Sequence, residues 1–74
     1  MQLDLENIQD NPLWKILVET VHTMIMYKPH KRYISELLTQ EENMDPEGLS
    51  LRLGIPLGET LVILKEIDIE KKKT

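Results

Sequence analysis

The chain has 74 residues, with 13 acidic and 9 basic side chains and a formal net charge of −4. A chain of this length forms one small domain and buries only about 60% of the surface of its unfolded form. The acidic balance argues against a protein that coats DNA without sequence preference, since such proteins use an excess of Lys and Arg. The chain has no cysteine, which excludes disulfides and thiolate chemistry.

The N-terminal segment and the hydropathy pattern predict the location of the protein. Residues 1–10 are polar and acidic, unlike a secretory signal, and their apolar members are interspersed among acids, as in a frayed arm or a docking strand. No apolar run approaches the roughly 18 residues of a membrane span. We therefore expect a cytoplasmic protein without a membrane partner.

The first predicted helix is long and covers residues 12–28. Asp10 or Asn11 can cap it, and Pro12 suits its first position because the missing N–H has no helical partner there. Pro29 should end it, since the residue before a proline is pushed out of the helical region.

The apolar residues of this segment cover a wide stripe when it is drawn as a helix. The stripe spans roughly 200°, against about 100° for a helix that faces a single core. A stripe this wide meets two surfaces, one in the domain and one in a partner. We therefore predict a homodimer through the N-terminal helix. The candidate interface residues are Trp14, Val18 and Ile25.

Three further helices are predicted, beginning with residues 31–42. Asp45 as N-cap, Pro46 at the first position and Gly54 as the stop signal define the next, over residues 46–53. The last helix runs over residues 58–67 and is followed by a basic tail at residues 68–74. Helical spacing of its apolar residues supports it. The residues concerned are Leu57, Leu61, Leu64 and Ile67.

The last helix has an alternative. Residues 60–69 are rich in β-branched side chains, and residues 67–70 alternate between apolar and acidic, which is typical of a strand. A strand, or a helix that gives way to a short strand, is therefore the alternative. The helical spacing and the Gly58-Glu59 start favour the helix.

The stretch at residues 53–58, Leu-Gly-Ile-Pro-Leu-Gly, resembles the helix-turn-helix of the winged-helix superfamily, and locally that of sigma-factor-like DNA-binding domains. The resemblance covers about the last 45 residues. It implies an all-α fold, with the long N-terminal helix followed by a three-helix core at residues 31–67. Residues 46–53 would be the positioning helix and residues 58–67 the recognition helix. Met44 would replace the first strand, and too few residues follow Ile67 for a wing.

The resemblance implies a DNA-binding, transcription-related regulator whose partner is double-stranded DNA. Direct readout of bases uses Arg, Lys, Asn, Gln, Ser or Thr side chains in the major groove, and phosphates are held by basic residues. The candidate DNA contacts are Lys31, Arg32, Arg52, Thr60 and Lys65.

The side chains expected to face outward from the last helix favour a different partner. Val62 and Ile63 are apolar, and Glu59 and Glu66 would be repelled by phosphates. The alternative function is therefore a protein-interaction module that keeps the winged-helix-like core but does not bind DNA. In that case Val62 and Ile63 join the first helix in the interface.

No pattern of an enzyme or a metal site is found. Ser35 and Ser50 lack the context of a catalytic nucleophile, and no Gly-rich phosphate loop occurs. His22 and His30 are eight positions apart with Pro29 between them, which does not suit two ligands of one metal. We therefore expect surface histidines, no cofactor and no small-molecule substrate.

Overall fold

The structure, a computed structural model, describes residues 7–40 and 45–72. Helix α1 spans Trp14–His22, α2 spans Tyr27–Leu38, α3 spans Pro46–Leu53 and α4 spans Leu57–Lys72. A 3-10 turn at Ile8–Asp10 precedes α1. These described ranges contain no strand, so the all-α prediction is confirmed.

The predicted long N-terminal helix is in fact two helices. Helix α1 ends at His22, residues 23–26 form a turn, and α2 already begins at Tyr27. The physical reason is Pro29, the third residue of α2. Proline is tolerated in the first turn of a helix and is costly in the interior, so the chain breaks just before Pro29 rather than at it.

The capping signals around α3 are confirmed. The side chain of Asp45 accepts a hydrogen bond from the backbone N–H of Gly48 at 3.2 Å, and Pro46 is the first helical residue. Gly54 ends the helix in the left-handed conformation, with φ of 68°. A side chain at this position would strain the backbone, which explains the glycine.

The last helix is longer than predicted and the strand alternative is wrong. Helix α4 continues to Lys72, so the predicted basic tail belongs largely to its last turns. The predictions for residues 1–6 of the N-terminal arm, for residues 41–42, for Met44 and for residues 73–74 of the tail lie outside the described residues.

Helix α4 is the centre of the fold. It contacts α1, α2 and α3, and its residues join those of α2, α3 and the α3–α4 turn in the main core. The members of this core that are almost fully buried are Ile34, Leu49, Ile55, Ile63, Leu64 and Ile67.

Helix α1 covers a second face of α4. A Cβ atom added to Gly58 would lie 3.0 Å from Cδ1 of Leu17. The Nε2 atom of His22 lies 2.6 Å from Oε2 of Glu66. Gly58, Val62 and Glu66 follow each other at intervals of four on one side of the helix, and we call them the α1-binding face. Val62 in its middle is 0% exposed.

The expectation that the last helix presents an outward surface was therefore wrong. Val62 and Ile63 are fully buried, and Glu59 is 1% exposed. The prediction allowed α4 one covered side, whereas three other helices surround it. Residues on its opposite sides are thus buried together, which a single amphipathic stripe does not reveal.

Candidate interaction surface

The residues expected to read DNA bases do not face solvent. Thr60 is 0% exposed, and its hydroxyl donates a hydrogen bond to the backbone oxygen of Pro56 at 3.1 Å. Lys65 is 8% exposed. Because a recognition helix must enter the major groove with its side chains free, α4 does not present these two residues for base contacts.

The other basic candidates lie on separate helices. Lys31 on α2 is paired with Glu70 at 2.7 Å and approaches Glu66 at 3.8 Å, so acidic neighbours already compensate its charge. Arg32 is exposed and lines a shallow depression of α2 together with Lys28. Arg52 is exposed in the last turn of α3. The structure does not bring the five candidates together in one patch.

Three polar side chains converge on Glu66. The Tyr27 hydroxyl donates to its Oε1 atom at 2.5 Å, His22 lies 2.6 Å from its Oε2 atom, and Lys31 approaches from 3.8 Å. His22 belongs to α1, and Tyr27 and Lys31 belong to α2. The Glu66 carboxylate of α4 therefore links three helices. The rings of His22 and Tyr27 also contact each other, with centroids 4.8 Å apart.

The surroundings of Glu66 change the proton affinity of two neighbours. Partial burial raises the pKa of Tyr27, and the adjacent Glu66 carboxylate raises it further. Burial alone would lower the pKa of Lys31, but the hydrogen bond to Glu70 and the charge of Glu66 outweigh it and raise the pKa. Both groups therefore hold their protons more tightly than in water.

A second carboxylate–histidine pair lies deeper. The side chain of Glu59 is 1% exposed, and its two oxygens lie 3.1 Å and 2.9 Å from Nδ1 of His30. An ionised carboxylate can only accept, so Nδ1 carries the proton in this arrangement. This pair joins α2 to α4 from inside the domain.

Of the two predicted surface histidines, only His30 departs from the expectation. His22 is exposed, but His30 is about one-quarter exposed, and each is held by a glutamate of α4. In residues 7–40 and 45–72, no three His, Asp or Glu side chains are grouped as a metal site. The sequence held no signal of the pairing, since the two histidines lie on different helices and their spacing does not report a distance along α4.

Large apolar side chains are exposed along α1 and in the turn after it. Leu13 is 66% exposed, Ile16 59%, Ile25 93% and Met26 51%. We call these four residues the exposed apolar surface. Leu13, at the N-cap of α1, and Ile16 are neighbours on the helix surface, three positions apart. Within α1, Val21 is the one buried residue.

The three candidates of the predicted dimer interface are placed differently. Ile25 is exposed, as the prediction requires. Trp14 and Val18 are half-buried, because they lie on the sides of α1 that adjoin Val21. The part of α1 open to a partner is therefore the side of Leu13 and Ile16, rather than the side of Trp14.

No protein-family model matches this chain, and no significant similarity to a curated protein or a solved structure is found. Within the described ranges, none of the helices combines the length and the apolar character that crossing a bilayer requires.

Proposed function

We propose that this chain is a small helical protein-interaction module that binds a protein partner through the exposed apolar surface. The observation that carries the proposal is Ile25, which is 93% exposed and stands between Met24 and Met26. Exposed apolar groups of this kind are typical of protein contacts, because their burial in an interface removes apolar area from water.

The surroundings of this surface support a protein partner over DNA. Its four residues are uncharged, whereas a surface for nucleic acid uses basic groups to bind phosphates. The predicted base-reading residues Thr60 and Lys65 are buried in α4. The winged-helix-like regulator of transcription would need α4 to lose part of the cover that α1, α2 and α3 give it before that helix could reach a groove.

The test compares two exposed apolar residues in different parts of the fold. Ile25→Asp changes the exposed apolar surface, and Leu51→Asp changes α3, where Leu51 is 84% exposed. Neither residue packs in the core, so both variants should keep the circular-dichroism spectrum and thermal midpoint of the wild type.

We expect Ile25→Asp to lose the binding partner and Leu51→Asp to retain it. Partners are compared by quantitative capture with the three proteins and confirmed with purified components. An unchanged set of partners for Ile25→Asp would contradict the proposal. A parallel amide NMR titration with duplex DNA at low salt tests the regulator, for which shifts at residues 57–66 would be required.

A further inference from the structure

Helix α1 is attached to the domain as a separate layer. The main core combines residues of α2, α3, α4 and the turn between the last two, and none of its members belongs to α1. Within α1 only Val21 is buried. The core could therefore keep its packing if α1 moved away as a unit, which is the behaviour of a separately opening segment.

The turn that connects α1 to α2 has an unusual composition. Residues 23–26 read Thr-Met-Ile-Met and contain none of the Gly, Pro, Asn or Asp residues that favour tight surface turns. Met24 is 36% exposed, Ile25 93% and Met26 51%. Three consecutive exposed apolar residues are unfavourable in water but would be stabilising where two such turns contact each other.

The α1-binding face of α4 is complementary to one helix in particular. Leu17 contacts the position of Gly58, where the absence of a side chain leaves space for it. At the other end, His22 meets the carboxylate of Glu66. Both the shape of this face and its hydrogen-bonding carboxylate therefore match α1, and every further copy of the chain carries the same helix.

We propose that two copies of this chain exchange α1, so that α1 of each copy packs on the α1-binding face of the other. This inference rests on the proposed function, because it names a second copy as the partner. The exchange recreates each α1–α4 contact between chains, so only the turn must change its conformation. Met24, Ile25 and Met26 of the two turns then pack against each other.

Pro29 limits the exchange in the wild type. If the turn became helical, α1 and α2 would merge, and α1 could no longer fold back on its own α4. Pro29 would then lie inside a helix and conflict with the carbonyl of Ile25, four residues earlier. Pro29→Ala removes this conflict, and we expect it to raise the dimer association constant at least about tenfold.

The experiment detects the contact between Leu17 and Gly58 in a mixture of isotope-labelled and unlabelled chains. The mixture is unfolded, refolded together and concentrated, and isotope-filtered NOEs are recorded between the methyl groups of Leu17 and the α protons of Gly58. Exchange predicts that this NOE connects labelled to unlabelled chains in a species that sediments as a dimer.

Three variants sharpen the result. Ile25→Asp places charges between the two turns and should lower the association constant at least about tenfold, while Leu51→Asp should not change it. Pro29→Ala should increase both the dimer fraction and the interchain NOE. Circular dichroism checks that each variant remains folded.

Two results would overturn the exchange. In a dimer whose Leu17–Gly58 NOE stays within one chain, the exposed apolar surface binds a second copy without exchange, so the proposed function stands and the inference fails. A wild type and a Pro29→Ala variant that both stay monomeric at millimolar concentration also exclude exchange. Loss of captured partners with Ile25→Asp would then still support the proposed function with a different protein.

Discussion

Helix α4 carries two glutamate–histidine pairs that differ mainly in their access to water. The side chains of Glu59 and His30 are 1% and 26% exposed, whereas those of Glu66 and His22 are 21% and 43% exposed. The N–O distances are similar, at 2.9 Å and 2.6 Å. Both pairs thus make the same kind of contact, and their exposure to solvent determines how much each contributes to the free energy of unfolding.

The Glu59–His30 pair, which we call the inner pair, is necessary for stability because its carboxylate is buried. Removing an ion from water is costly, and a buried ion left without its partner destabilises the fold strongly. The Glu66–His22 pair, which we call the outer pair, remains partly hydrated, so water compensates for its loss. Because the inner pair joins α2 to α4 and the outer pair joins α1 to α4, the difference predicts a firmly held core and a loosely held α1.

The largest effect is expected from His30→Ala, which leaves Glu59 buried without its histidine. We expect a loss of about 3 kcal/mol in the free energy of unfolding, as for other buried pairs that lose one partner. Urea unfolding at neutral pH, followed by circular dichroism, measures it. A loss below about 1 kcal/mol would show that water reaches Glu59 and that the two pairs are equivalent.

The control for this variant replaces both partners. In the double variant Glu59→Leu with His30→Leu, neither position carries a charge, and apolar contacts take the place of the pair. We expect its free energy of unfolding to lie within about 1 kcal/mol of the wild type. With the wild type and the single variants Glu59→Leu and His30→Leu, it forms a four-protein cycle that separates the cost of an unpaired carboxylate from the value of the pair itself.

A smaller effect is expected at Glu66 from Tyr27→Phe. The variant removes the hydroxyl that donates to Glu66 at 2.5 Å but keeps the ring. Since His22 and water can still hydrogen-bond to the Glu66 carboxylate, we expect a loss of about 1 kcal/mol in the free energy of unfolding. A loss as large as that of His30→Ala would mean that Glu66, too, is effectively buried.

The same tyrosine predicts a loss of stability at alkaline pH. The pKa of Tyr27 is raised above its ordinary 10.0 by burial and by Glu66, and the pKa of Lys31 above 10.5 by Glu70 and Glu66 against the effect of burial. Raised pKa values in the folded state mean that it binds these protons more tightly than the unfolded chain. The contribution of these two groups to the free energy of unfolding is therefore complete below the pKa values of the unfolded chain. It is lost as pH rises through the pKa values of the folded state.

Urea midpoints measured from about pH 9 to about pH 11 test this dependence. We expect the midpoint to fall over this range, and Tyr27→Phe to reduce the fall because one of the two groups is absent. A midpoint that is constant or rises with pH would contradict the link between Glu66 and its neighbours.

Local signals explain which parts of this fold could be predicted. Asp45, Pro46 and Gly54 act within a few residues of one helix, and α3 has the predicted bounds. The break before α2 could not be placed, because Pro29 is compatible both with a helix that ends before it and with one whose first turn contains it. The burial around α4 depends on three helices packing at once, which no single period encodes.

The polar pairs were missed for the same reason. His30 and Glu59 are 29 positions apart, and His22 and Glu66 are 44 apart. No capping rule or short motif connects residues at such distances. Exposure at Ile25 could be expected from the wide apolar stripe of residues 12–28, which one small domain cannot cover, whereas burial of Val62 required knowledge of where α1 lies.

The smallest effect is expected from His22→Ala, and it distinguishes a loose α1 from a weakened domain. Because the His22–Glu66 pair is partly hydrated, we expect a loss of only about 0.5 kcal/mol in the free energy of global unfolding. Amide hydrogen exchange should nevertheless accelerate in α1 while it stays unchanged in α4, since α1 opens before the core does. His22→Gln, which can still hydrogen-bond to Glu66, should restore part of the protection in α1. Equal acceleration in α1 and α4 would mean that the four helices open together, and α1 would then not be free to exchange between copies.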